Sequence, residues 1–116
     1  MRRDDLIRLR HMIDAAREAL SFVQHKSRDA LDADRILTLA LVKSIEIIGE
    51  AASRVTPETR DRHPEIPWTN IVGMRNRLIH AYFDVDVDRV WDTVIDDLPP
   101  LVAALVVIIT QAEGLP

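Results

Sequence analysis

Apolar residues recur along this chain at helical spacing. Leu6, Leu9, Ile13, Ala16, Leu20 and Val23 are separated by alternating steps of three and four, which predicts one face of a helix over residues 4–25. Arg8, Arg10, Asp14, Arg17 and Glu18 fall mostly on its other faces and solvate it. Leu37, Leu41, Ser44, Ile48, Ala51 and Val55 repeat the pattern and predict a second long helix over about 33–55, with Asp32 as its N-cap. The polar stretch HKSRDALDAD between them reads as a connection.

Proline then punctuates the chain. Thr56-Pro57 reads as a cap followed by proline at the first helical position, and a short helix over 57–62 is stopped at His63-Pro64. Pro67 opens a third helix, PWTNIVGMRNRLIH, anchored by Trp68, Ile71, Val72, Leu78 and Ile79. Asp86 caps a fourth, whose apolar face is Val87, Val90, Trp91, Val94, Ile95 and Leu98. Pro99-Pro100 removes two N–H donors and is expected to kink or break that helix, with LVAALVVIITQA helical beyond it. No repeat and no linker interrupts the pattern. The expectation is all-α: a single domain over 1–116, an up-and-down bundle of four to five helices.

Composition sharpens this picture. Three glycines and five aromatic residues are few for a β-rich domain. The absence of cysteine excludes disulfides and thiolate metal sites and suits a cytoplasmic location. The N-terminus lacks the apolar core of a secretory signal, and LVAALVVII, nine residues long, falls short of the ~20 needed to span a bilayer, so no membrane association is expected. With 15 basic and 19 acidic residues, the net charge of −4 argues against a non-specific nucleic-acid coat but leaves room for a local basic groove. Arg54, Arg60, Arg62, Arg75 and Arg77 could supply one, or form an ordinary solvated surface.

The chemistry concentrates in RNRLIHAYFDVD, residues 75–86. Histidine exchanges a proton near neutrality, and arginine clamps a phosphate and stabilises charge developing on it. His80 is therefore a candidate acid/base, Arg75 a phosphate clamp, and Asn76 an orienting group. No cofactor and no metal cluster is implied, since His11, His25 and His63 are scattered and the Asp84, Asp86, Asp88 series lacks the glycine and glutamate of a calcium loop. Together these are parts for metal-free cleavage of RNA by its own 2′-hydroxyl. The bland alternative is a helix-end cap and a surface ion pair. Geometry leaves a question. Asn76 and His80 share a helical face, but Arg75 and His80 lie roughly 140° apart on a regular helix. Either the helix loosens before His80, or Arg75 swings round, or a second subunit completes the site. Glu50, amid the small residues of GEAA, is either buried with Arg75 as partner or exposed on a helix flank.

Arg75, His80 and Tyr82 reproduce an R-x4-H-x-Y motif, and joined to IEIIGEAASRV, PWTNIVGMRN and HAYFDVD in this order they resemble the HepT-like toxins of the HEPN superfamily over almost the whole chain. The resemblance implies a HEPN-like bundle that forms homodimers with two motifs facing across a cleft. It implies metal-independent endoribonuclease activity on RNA through Arg75 and His80, supported by Asn76. It also implies a toxin–antitoxin pairing with a minimal nucleotidyltransferase that neutralises the toxin by binding it and by transferring AMP to Tyr82. The alternative is a non-catalytic helical module that presents a nucleotide-binding or interaction surface to such a partner.

Overall fold

The computed structural model describes residues 1–81 and 84–114, with the side chains of all of these except His80 and Ala81. Three long helical stretches carry the core. The first, α1 (Arg3–Phe22), packs against both α3 (Arg35–Ser53) and α8 (Leu98–Ala112). That double contact explains why its apolar stripe is wider than the periodicity indicates. Met12, Ala15 and Ala19 are buried in addition to Leu9, Ile13, Ala16 and Val23. All six positions of the α3 stripe, from Leu37 to Val55, are buried as their spacing predicts.

The polar connection holds a helical turn of its own, α2 (Ala30–Ala33), pinned by buried Leu31. Asp32 therefore lies inside that turn, where it pairs with Arg28 at 3.0 Å, and it does not cap α3. The cap is Asp34, whose extended backbone interrupts the helix and whose Oδ1 accepts from the Leu37 N–H at 3.1 Å. Next, α4 (Pro57–Arg62) has Thr56 at its cap position, but the threonine hydroxyl is used elsewhere. It donates to Asp5 at 2.6 Å, as does Thr59, and the Thr56 N–H reaches the same carboxylate at 3.0 Å. Asp5 is only 1% exposed and ties the start of α1 to the turn after α3.

The expected third helix is two helices, α5 (Trp68–Val72) and α6 (Met74–Leu78), divided at Gly73. Trp68, Ile71, Met74 and Leu78 face the core, whereas Val72, expected as an anchor, is exposed. Gly49 on α3 lets these helices come close: a Cβ there would lie 3.2 Å from the Ile71 carbonyl oxygen. Beyond Leu78 the backbone extends. The strand β1 (Ile79–Ala81) pairs antiparallel with β2 (Asp84–Val85), with Ile79 opposite Val85 and Ala81 opposite Asp84. The Asp86 N–H closes the hairpin on the Leu78 carbonyl. This small hairpin is the one departure from helix among the described elements, and the fold is all-α.

Asp86 caps α7 (Val87–Asp92) as its position predicts, accepting from the Arg89 N–H at 3.1 Å. The prolines do not break the helix that continues from it. A π-helical turn, Thr93–Asp97, leads straight into α8, and the Leu98 N–H donates five residues back to the Thr93 carbonyl. The widened turn absorbs the register change just before Pro99 and Pro100, which then occupy the tolerant first turn of α8. Energetics favour the continuation. Leu98, Leu101, Leu105 and Ile108 are all buried, at roughly 1.5–3 kcal/mol each, which together offsets even a full interior penalty of about 3 kcal/mol for each of the two prolines. The result, Val87–Ala112, is one helix of 26 residues, long and apolar enough by length and composition to cross a membrane, where the sequence alone showed a run of nine.

Candidate active site

Arg75 is on α6 and its side chain is 52% exposed. It looks onto a groove of about 600 Å³ between α1, α3 and α6, lined by Arg8, His11, Lys43, Glu46, Glu50, Arg54 and Arg75 among others. Four fixed cations against two carboxylates make this a positive depression on a chain whose net charge is −4. The arginines proposed as one basic patch divide between different surroundings. Arg54 and Arg75 share the groove. Arg60 instead donates to the Ala52 and Val55 carbonyls and lies over the Trp68 ring, Arg62 pairs with Glu58, and Arg77 donates to the Asn70 carbonyl.

Glu50 is not the partner of Arg75. It is 66% exposed and pairs with Arg54 one turn along α3, at 2.9 Å. The small residues of GEAA do bring α3 close to its neighbours, as Gly49 shows, but they bury Gly49 and not Glu50. The carboxylate that meets Arg75 is Glu46, whose Oε1 accepts from Arg75 Nε at 2.7 Å. Glu46 also faces Lys43 at 3.9 Å. Its signal is present in the sequence: IEIIGE places two glutamates four apart, hence on one helical face, and only the small residues around the second set it apart. Arg8 and His11, one turn apart on α1, escape sequence reasoning because nothing local marks a solvated helix face as a groove wall.

The backbone answers part of the angular question. Helix α6 ends at Leu78, and Ile79 is already extended at φ −121°, ψ 110°. His80 therefore sits in a strand and shares no helical face with Asn76. Of the three routes considered, the helix does give way before His80. Asn76 is exposed on α6, next to Arg75. The side chain of His80, and the whole of Tyr82, lie outside the described residues.

A second cleft, about 750 Å³, opens between α5, α6 and the π turn. Its rim carries Glu65, Asp92, Asp96 and Asp97 with Arg77 and Arg89. Burial and the neighbouring Asp96 push the Asp97 carboxyl above its ordinary range, Arg77 opposes them and Asp92 adds to the rise. This acidic field repels phosphate, so of the two clefts the Arg75 groove is the one suited to a polyanion. The acids after the hairpin have other work: Asp86 caps α7 and Asp88 accepts from Arg28 at 2.6 Å. Among the described residues, no group of three or more His, Asp or Glu is placed to hold a metal ion.

The structure is thus an all-helical bundle that carries an arginine in a cationic groove and turns to a hairpin at the following histidine. The family described as Ribonuclease HepT-like matches residues 12–108, and the chain belongs to this family of endoribonucleases. A candidate RNase of Caldanaerobacter subterraneus subsp. tengcongensis is 38% identical over 93 residues, covering 80% of this chain and 83% of that protein. A probable ribonuclease HepT of Thermococcus cleftensis is 46% identical over 68 residues, 59% of this chain and 62% of that one. A candidate RNase of Methanocaldococcus jannaschii is 30% identical over 100 residues, 86% of this chain and 92% of its own length. No solved structure matches the chain.

Proposed function

We propose that this endoribonuclease cleaves RNA without a metal, as a homodimeric toxin held in check by a nucleotidyltransferase. The observation that carries the reading is the setting of Arg75, exposed in a cationic groove on an acidic chain, five residues before the histidine of the family motif. In this reading the 2′-oxygen of RNA forms a bond to the adjacent phosphorus while the bond from phosphorus to the 5′-oxygen breaks. His80 takes the 2′-hydroxyl proton and a proton is returned to the departing 5′-oxygen. Arg75 stabilises the charge that builds on the non-bridging oxygens, and Asn76 orients. Glu50 keeps Arg54 in the groove wall. A second copy of the chain supplies the facing Arg75 and His80.

The test is cleavage of RNA by the purified protein in EDTA. Wild type is expected to leave 2′,3′-cyclic phosphate ends, and His80→Ala and Arg75→Ala are each expected to lose about 10²–10⁴-fold in rate while remaining folded. Strict dependence on magnesium, or 5′-phosphate products, would defeat the mechanism. No cleavage by a folded wild-type protein would favour the non-catalytic module.

Control is assigned to Tyr82, two residues beyond His80. Transfer of AMP from ATP to its hydroxyl, with release of pyrophosphate, adds a negative phosphate and a nucleoside within the motif that carries the clamp, and this charge is expected to repel an incoming RNA backbone. A cognate nucleotidyltransferase with ATP is expected to raise the mass by one or more AMP units in wild type and not in Tyr82→Phe. A modified protein that cleaved at the unmodified rate would rule out the switch.

A further inference from the structure

We propose that Glu46 is a positioning residue that aims the guanidinium of Arg75, an inference that rests on reading Arg75 as the phosphate clamp. The two side chains come from different helices, 29 residues apart in sequence, and meet through Arg75 Nε and Glu46 Oε1 at 2.7 Å. An arginine has two edges on which it can bind a carboxylate. Tying it down through Nε leaves a pair of Nη donors for a phosphate, the planar fork that makes arginine a bidentate ligand. Glu46 is itself placed. It is only 30% exposed, stands one turn before Glu50 on α3, and has Lys43 on its other oxygen at 3.9 Å. Three residues on, Gly49 allows α3 to approach the α5 backbone, and this approach brings Glu46 within reach of α6.

A carboxylate in the floor of a phosphate-binding groove is otherwise a liability. It repels the substrate and cancels part of the field set by Arg8, Lys43 and Arg54. Such a group weakens binding and is explained by a gain at the reacting phosphate. Positioning and repulsion therefore give opposite signs in two measurements, which a purely structural role does not.

The experiment measures kcat on an RNA substrate and, separately, the affinity for the same RNA with a 2′-deoxy sugar at the scissile position. Glu46→Ala is expected to lower kcat about 10–100-fold, as loss of a supporting partner does, while affinity stays equal or tightens. Glu46→Gln retains an oxygen that accepts from Nε and is expected to recover most of the lost kcat with the same tighter binding. In an Arg75→Lys background, Glu46→Ala is expected to cost nothing further, because lysine has no planar fork to aim. The proposal is overturned if Glu46→Ala keeps kcat within about twofold of wild type, or if its loss is undiminished in the Arg75→Lys background. Full activity of Arg75→Ala would remove the clamp itself and this inference with it. An inactive Arg75→Ala beside a fully active Glu46→Ala would remove the positioning role alone.

Discussion

Asp5 shows how one buried side chain ties stability to pH. Burial works against its charge, but the hydroxyls of Thr56 and Thr59 and the Thr56 N–H, aided by Arg2, outweigh it and hold the carboxyl below its ordinary range. The folded form thus binds its proton less readily than the unfolded chain. Its stabilisation is complete above the unfolded value of about 4 and is lost as pH falls through the folded one. Urea midpoints measured from pH 6 to pH 3 are expected to fall below about pH 4 in wild type and to fall less steeply in Asp5→Asn. At neutral pH, Asp5→Ala is expected to cost roughly 2–4 kcal/mol, because three donors lose a charged acceptor. None of this was legible in the sequence, since Asp5 and Thr59 lie 54 positions apart and nothing local sets Asp5 apart from its neighbour Asp4. Arg75, by contrast, was legible because its motif is local, whereas its partner was not: two glutamates on one face of α3 offered equal grounds, and only the fold distinguishes Glu46 from Glu50.

Elements were readable where burial is periodic and unreadable where backbone chemistry decides. The stripe of α3 is fixed by spacing, and that of α1 was read correctly on the side that the spacing marks. The ends of α6 and the passage through Pro99-Pro100 depend instead on a hairpin and a π turn, neither of which has a hydrophobic period. Gly49 belongs to this second kind. Its neighbour is the Ile71 carbonyl, a backbone atom at the end of a short helix that a larger side chain must displace. Gly49→Val is expected to destabilise the protein by roughly 1–3 kcal/mol, as overpacking does, read from the shift of the urea midpoint. Gly49→Ala has helix propensity in its favour, up to about 1 kcal/mol, so its expected signature is a small change in stability with a clear loss of cleavage as α3 and α6 part. Equal activity of Gly49→Ala and wild type would show that this spacing does not govern the groove.

At the scale of the molecule, the long helix buries one side and leaves Ile95, Val106 and Val107 exposed on another. The proposed dimer is expected to cover that surface with a second copy. Light scattering at micromolar concentration is expected to give twice the 13.2 kDa chain mass for wild type and a lighter species for Val107→Glu. The arrangement of α1 has a consequence for synthesis. One wall of the groove comes from Arg8 and His11 on α1, and that helix is clasped by α3 on one side and α8 on the other. During synthesis α1 is made before either of the helices that clasp it. Asp5 lacks its threonine partners until residues 56 and 59 are made, and the far side of α1 stays wet until α8 is made, with Arg10 meeting Glu113 there. A chain that lacks α8 is therefore expected to lack a settled α1, and with it the groove wall that carries Arg8 and His11.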